Sequence, residues 1–570
     1  MTIDAGLHGN DDTTLGNTLV EQRLLTIIQL HYAQQKQVVT GETLSQILVR
    51  LGLVSETGLA KILAQHHNLP YQDTAQRCEP QPQPQAIALF TREICHAHAL
   101  LPLAVSDTQL QAVLGNGDPR RAEELIRRRT GLKPLLMQGD FAYVSKSIDQ
   151  VYSRHQGISK AAFQQEYQLL RQDTLGALPI NELVHQLLSL AVSERATDLH
   201  LQPEPYSIHV SFRIDGVLIP IISLDRTLLR LISAIKVMSA MDISDNLRPQ
   251  DGRFSIQLNR QAYDIRVSTS ITPHGESLVM RLLQKGVFVS GLEDLGFLPE
   301  HLPLIDSMFC QPHGVFLLTG PTGSGKSTTL HAGLKPHGMT GKSILTVEDP
   351  IEYELPVACQ TQVNRKAGYS FDTAIRHFLR HDPDIMLVGE IRDEETADAA
   401  IRAAETGHLV LSTLHVNSVF GVVSRLGSLG VSTQSLAETL IGSLNQRLIR
   451  KLCPQCKEAA PATEKPPLAL VNRLQGVTLM HGIGCTACRH TGYYGRLPVY
   501  EMLVVDAAIA QWIDGGASRR ELGLALNPTN HISMLDTFVA RIVAGETSID
   551  EFVRLFGQHD LASAHFSNQI

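Results

Sequence analysis

The residues that most directly announce chemistry are Gly320, Pro321, Thr322, Gly323, Ser324, Gly325, Lys326, Ser327 and Thr328, a glycine-rich run ending in lysine and two hydroxyls. Without a Cβ, the glycines let consecutive backbone N–H groups approach and cradle phosphate oxygens. Lys326 supplies a point charge for the β- and γ-phosphates of a nucleotide, and the Ser327 hydroxyl can enter the shell of a Mg2+ ion. Such a loop binds nucleoside triphosphate. It works only between a strand and a helix, and both neighbours fit: Gly314–Thr319 is a short apolar, β-rich run, and Thr328–Leu334 can carry a helix.

Three further segments could complete a hydrolytic site. Ile344–Glu348 is an apolar strand running into Glu348, Asp349 and Glu352, with Pro350 ending it, and an acid there could orient and deprotonate water. Ile385–Val388 is a second apolar strand, followed by Glu390, whose carboxylate can hold Mg2+ directly or through water as in a Walker B element. Leu409–Leu414 is a third, bracketed by His408 and His415. One of these could sense a γ-phosphate, while the pattern fits satisfied core histidines equally well.

A different chemistry stands farther along. Cys453 with Cys456 and Cys485 with Cys488 form two C-x-x-C pairs separated by 28 residues. Two such knuckles complete the tetrahedral four-thiolate shell that Zn2+ prefers, with no open position for catalysis, so the expected role is structural. Cys78, Cys95, Cys310 and Cys359 stand alone and are expected to pack as small apolar residues.

Elements must position these groups, and 570 residues are too many for one core. With 43% hydrophobic and 19% charged residues the composition is ordinary for globular protein. The net charge of -8 argues against sequence-independent nucleic-acid binding by the whole surface, so no direct nucleic-acid contact is expected. The longest apolar stretch, Val217–Leu224, is far short of the ~20 residues of a membrane span, and the acidic start lacks a signal peptide's basic region. A cytoplasmic location is the expectation.

Along the chain, residues 1–18 read as a flexible polar tail, and 19–152 as an N-terminal docking or regulatory region, helical over 19–78 and α+β over 86–152. The proline-alternating run from Glu79 to Gln85 reads as an extended connector. Residues 153–180 are Gln-rich and read as a linker. Period-two patterning in Ile208–Ile214 and Ala262–Thr269 marks half-buried strands and an α+β domain over 181–287. The nucleotide-binding domain then runs over 288–570, with the zinc module at 450–490 and a helical tail beyond Val505.

With these motifs in order, the chain resembles the type II secretion and type IV pilus assembly ATPases. The phosphate loop, Glu348–Glu352, Leu379–Asp384, Gly389–Asp393 and Thr406–His415 look like their Walker A, aspartate box, Walker B and histidine box. The pattern continues upstream in Ala196–His200, Phe212–Gly216, Arg248–Arg253, Asp264–Thr269 and Gly275–Leu283, and downstream through both cysteine pairs to Gly492–Glu501. The resemblance implies an α/β fold, a RecA-like P-loop ATPase domain preceded by a PAS-like α+β domain and a small N-terminal region. It further implies a homohexameric ring with ATP, Mg2+ and Zn2+ bound. Glu348 would then be the catalytic base, Glu390 the Walker B acid and a Mg2+ ligand with Ser327, and His408 with His415 the histidine box. Arg213, Arg253, Arg266 and Arg281 are candidates to neutralise charge on the transferring phosphoryl group, and the sequence does not rank them. Ser211 stands where many relatives carry another arginine.

The resemblance favours a motor for pilin or pseudopilin assembly, acting peripherally at the cytoplasmic face of the inner membrane through a platform protein and its cytoplasmic domain. A conjugation or DNA-uptake ATPase is the alternative, and a nucleotide-binding scaffold without turnover is disfavoured by Lys326, Glu348 and Glu390. The helices from Leu44 to Gln65 are similar to modules that bind cyclic di-GMP, but Thr43, Leu44 and Ser45 occupy the start of that motif, and docking to a membrane partner is favoured over cyclic di-GMP binding.

Overall fold

The computed structural model describes residues 9–72, 82–155, 158–172, 180–258, 261–285, 291–339, 341–461, 466–515, 526–527 and 529–557. The chain divides into two compact units, residues 60–287 and residues 1–59 with 288–570.

The first unit contains two sheets. Strands β1 (Leu100–Val105), β2 (Gln109–Leu114) and β3 (Lys133–Gln138) form a small sheet in that order. The helices Pro119–Thr130 and Phe141–His155 contribute Ile126, Val144 and Ile148 to its core. The second sheet is antiparallel and carries β4 (Asp198–Pro203), β5 (Ser207–Ile214), β6 (Val217–Asp225), β7 (Asp251–Leu258), β8 (Gln261–Thr272) and β9 (Gly275–Gln284) in the order β6-β5-β4-β9-β8-β7. Because side chains alternate along a strand, Leu199, Phe212, Met280 and Val267 share one face and meet Leu183, Val184 and Leu187 of the helix Asn181–Ser193. The opposite face carries the charged residues.

Two expectations are corrected here. The stretch 153–180, read as a linker, contains the helix Ile158–Gln172, and its Phe163 and Leu170 are buried in the same core as the six-stranded sheet. Its glutamines line one side only, and their number masked the apolar stripe. Likewise the tail 1–18 gives way to the helix Gly9–Glu21, held by the buried Leu15 and Leu19. Residues 79–81 of the expected connector lie outside the described residues, and Pro84–Ala88 is a short helix with proline in its first turn, where a missing N–H costs nothing.

In the second unit, β10 (Gly314–Thr319), β11 (Ile344–Glu348), β12 (Cys359–Gln362), β13 (Ile385–Val388), β14 (Leu409–Leu414) and β15 (Leu440–Leu452) run parallel in the order β12-β11-β13-β14-β10-β15. Every residue of β10, β11, β13 and β14 is buried, as a parallel sheet covered on both faces requires. Val315, Leu317, Val347, Val388 and Val410 pack on one face, and Phe316, Leu318, Leu387 and Leu411 on the other. Each such side chain contributes about 1.5–3 kcal/mol by leaving water.

The strand β15 runs on past its pairing with β10. Between it and its antiparallel partner β18 (Tyr493–Val504) lie the cysteine pairs and a two-stranded ribbon of β16 (Lys457–Ala459) and β17 (Met480–Gly482); β19 (His531–Ile532) closes the sheet edge. The helices Met534–Val543 and Ile549–Phe556 cover Ile449, Leu497 and Val499. Among the described residues no helix is long and apolar enough to cross a membrane. Cys95 is buried as expected, but Cys310 and Cys359 are exposed, the one at a helix end and the other on an edge strand; Cys78 lies outside the described residues.

Candidate active site

The phosphate loop leaves the C-terminal end of β10 and enters the helix Lys326–Leu334. Gly320, Gly323 and Gly325 have φ of 131°, 77° and 88°, the left-handed region that favours glycine. A Cβ at Gly320 would lie 2.4 Å from the Gln446 carbonyl oxygen, and one at Gly325 would lie 2.8 Å from Gln446 Nε2. Gln446, on β15, braces the loop from beneath: its Nε2 donates to the Ser324 carbonyl at 2.8 Å and its Oε1 accepts from Thr329 Oγ1 at 2.9 Å. Beside it, Asn445 Nδ2 donates to Thr319 Oγ1 at 2.8 Å. Neither residue stood out in the sequence, because both are distant in the chain and brought in only by parallel register with β10.

Lys326 folds its ammonium over the loop and donates to the carbonyls of Gly320 and Pro321 at 2.9 and 3.0 Å. Burial pushes its pKa down, and the Glu390 and Glu352 carboxylates partly offset that. The buried Ser324 hydroxyl has no hydrogen-bond partner among the described residues. A cradle of glycine N–H groups, a desolvated ammonium and an orphaned hydroxyl fit a triphosphate.

The acids divide into two kinds. Glu348, at the end of β11, is buried and already engaged: Thr346 Oγ1 and Gln360 Nε2 donate to its Oε1 at 2.8 and 3.0 Å, and His331 Nε2 lies 3.2 Å from its Oε2. Burial pushes the Glu348 carboxyl up, but His331, Gln360 and Thr346 together hold it below the usual carboxylate range. Glu352, four residues on, is exposed and its charge reaches Lys326. The expectation that Glu348 activates water meets a buried carboxylate whose Oε1 already accepts two hydrogen bonds and whose Oε2 lies against His331. Of the acids after β11 that could orient water, Glu352 is exposed where Glu348 is buried.

Glu390 follows β13 and is bound by Arg392 Nε at 2.6 Å, with His415 Nε2 3.6 Å away. His415 leaves the C-terminal end of β14, the same edge as the phosphate loop. His408 is corrected: it precedes the N-terminal end of β14, about 20 Å away at the rise of a strand, and its Nδ1 meets the Ala403 carbonyl at 2.9 Å and Thr406 Oγ1 at 3.1 Å. Parallel strands put only their C-terminal ends at the ligand crevice, so residues at the two ends of one strand are separated by its length.

The four candidate arginines fall in one register row of the other unit. Arg253 faces Arg266 across β7 and β8, Arg266 faces Arg281 across β8 and β9, Arg281 faces Asp198 across β9 and β4, and Asp198 faces Arg213 across β4 and β5. At about 4.8 Å per strand the row is about 19 Å long. Asp198 is buried and accepts from Arg281 Nε at 2.9 Å, with Arg213 Nε at 3.7 Å. Arg253 and Arg266 have no carboxylate partner among the described ion pairs.

The cysteines converge as their spacing required. Sγ of Cys453 lies 3.8 Å from that of Cys485, and Cys488 Sγ lies 3.7 Å from both Cys456 and Cys485. Four thiolates at about 2.3 Å from a tetrahedral Zn2+ stand about 3.8 Å apart, so the donor set fits that ion. Burial pushes the Cys488 thiol up, but the N–H groups of Cys485 and Gly492, with the Cys456 and Cys485 thiols, bring it down to about 7.

A family model described as Type II/IV secretion system protein matches residues 173–554. The chain is 35% identical over 559 residues to the type II secretion system protein E of Xanthomonas campestris pv. campestris, covering 95% of this chain and 98% of that one. It is 42% identical over 393 residues to a putative type II secretion system protein E of Escherichia coli, covering 68% and 78%. With the type IV pilus assembly ATPase PilB of Thermus thermophilus it shares 36% identity over 531 residues, 90% of this chain and 59% of that one. Among solved structures the ATPase DotB of Yersinia pseudotuberculosis shares the fold at 19% identity and a TM-score of 0.50, over 68% of this chain and 95% of that one.

Proposed function

The chain belongs to the type II/IV secretion system protein family and is an ATP hydrolase of the secretion and pilus-assembly kind, and from that premise we propose that it is the motor driving pseudopilin assembly in type II protein secretion. Correspondence with a type II secretion protein nearly end to end over both chains favours secretion over pilus extension. The motor works as a homohexameric ring at the cytoplasmic face of the inner membrane, coupled to a platform protein.

One observation carries the chemistry: the Lys326 ammonium is held in the glycine cradle by the Gly320 and Pro321 carbonyls, at the end of the parallel sheet from which Glu390 and the segment bearing Glu352 also leave. Lys326 and the loop N–H groups bind the β- and γ-phosphates. Ser327 and Glu390 would hold Mg2+, which when bound neutralises charge on the phosphates. Glu352 orients water and accepts its proton, and Glu348 anchors the loop that carries it. His415 steadies Glu390. The arginines of the register row form a cationic face of the kind that neutralises charge on a phosphoryl group. Cys453, Cys456, Cys485 and Cys488 would hold a structural Zn2+, which would tie together the segment between β15 and β18.

The test is steady-state ATPase activity of the full chain. Glu352→Gln is expected to lower kcat by about 10²- to 10⁴-fold while nucleotide binding persists. Retained turnover in Glu352→Gln with loss in Glu348→Gln would return the base to Glu348.

A further inference from the structure

We propose that His331 is a positioning residue for ATP hydrolysis: from the phosphate-loop helix it grips both ends of the acidic loop 349–352 and so sets Glu352 against Lys326. This rests on the reading of Glu352 as the acid that activates water.

His331 stands five residues after Lys326, about one and a half turns into the same helix, and is 1% exposed. Its Nε2 lies 3.2 Å from Glu348 Oε2, at the residue where β11 ends and the loop begins. Its ring also meets the Tyr353 ring edge to face, with centroids 6.0 Å apart, at the residue that follows the acidic stretch 349–352. Glu352 is the residue before Tyr353. A single imidazole therefore touches the residues on either side of 349–352, the stretch that carries Glu352.

Gln360 on β12 repeats the clamp from the other side. Its Nε2 donates to Glu348 Oε1 at 3.0 Å and to the Tyr353 carbonyl at 3.0 Å. The two clamps differ in what they connect. Gln360 ties the loop to its own sheet edge, whereas His331 ties it to the helix whose first residue is Lys326. Any shift of that helix on nucleotide binding is passed to the loop through His331.

Packing alone does not account for this side chain. Neither ring nitrogen has an aligned hydrogen-bond partner among the described residues, and a buried polar group left so costs about 1–3 kcal/mol. A phenyl or isobutyl group would fill the space without that cost. What the imidazole adds is the polar contact of its Nε2 with Glu348 Oε2.

The experiment compares His331→Gln with His331→Met in the full chain, since the two side chains match in length and differ in the polar group. Misplacing a reacting group by a fraction of an ångström costs roughly tenfold in rate, so kcat is expected to fall about tenfold in His331→Met and to recover largely in His331→Gln, with KM for ATP unchanged in both. If His331 acts through Glu348, His331→Met has no further effect on kcat in a Glu348→Gln background. Equal kcat in the Gln and Met variants, a change confined to KM, or additive losses in the double variant would each overturn the proposal. Should His331→Met fail to fold, His331→Phe, which keeps the ring against Tyr353, replaces it in the same comparison. Undiminished turnover in Glu352→Gln breaks the underlying reading, whereas an inactive Glu352→Gln beside a fully active His331→Met breaks this inference alone.

Discussion

Arg253 and Arg266 stand directly opposite each other on β7 and β8 with no carboxylate between them. Like charges so paired destabilise a sheet, and the next position in the row, Arg281, has to share Asp198 with Arg213. Four arginines against one aspartate cost stability in the isolated chain, and an anionic ligand would offset that cost. Arg253→Ala and Arg266→Ala are therefore expected to lower kcat by about 10²- to 10³-fold while leaving the melting temperature unchanged or slightly raised. Turnover assays and thermal unfolding on the same preparations check this, and loss of stability with intact turnover would assign both residues to the fold.

Zinc should be measurable as one equivalent per chain held by the four cysteines. Cys453→Ser is expected to release it and to lower the unfolding temperature, and a chelator should do the same to the unmodified chain. Metal content that survives the substitution would refute the site.

Glu551 gives a pH dependence whose sign can be worked out. It is fully buried, and Arg450 Nε and Arg554 Nη2 each donate to it at 2.7 Å. Burial pushes its carboxyl up, but Arg554 and Arg450 prevail and hold it below the usual range. A carboxyl with a depressed folded-state pKa adds stability that is complete above its unfolded value, about 4.3, and fades as pH falls through the folded one. Glu551→Gln should thus destabilise by about 3–5 kcal/mol at pH 7, with a gap from the parent that holds down to about pH 5 and narrows below about pH 4. Denaturant titrations across that range decide it, and a gap independent of pH would exclude ionisation as the cause.

Gly52 ends the helix Leu44–Arg50 with φ of 71°, and a Cβ there would lie 2.9 Å from the backbone oxygen of Lys335. Lys335 caps the phosphate-loop helix, and nearby Thr57 Oγ1 donates to Asp294 at 3.1 Å. Gly52→Ala is expected to cost about 1–3 kcal/mol and to loosen this contact. Hydrogen exchange should quicken in Leu44–Arg50 while β10 and β14 stay protected; uniform exchange in both would show that the contact carries no local stability.

The chemistry of this protein was legible in the chain where it depends on neighbours in sequence. The phosphate loop, the two C-x-x-C pairs and the apolar strands ahead of Glu348, Glu390 and His415 are local patterns, and backbone geometry follows from them directly. Residues 9–18 and 158–172 were harder, since a polar composition hides a narrow buried stripe such as Leu15 with Leu19 or Phe163 with Leu170.

Strand register and burial lie beyond that local reach. Register across five strands lined up Arg253, Arg266, Arg281, Asp198 and Arg213, and parallel direction sent His408 and His415 to opposite edges of one sheet. Two glutamates of one short motif parted ways because His331 and Gln360, from other elements, enclose Glu348, while Glu352 is exposed. The sequence by itself determined which chemical groups are present and that they belong to an ATPase with a phosphate loop and a four-cysteine cluster. Only the tertiary structure decided which carboxylate is available, because availability depends on what distant segments bring to bear on it.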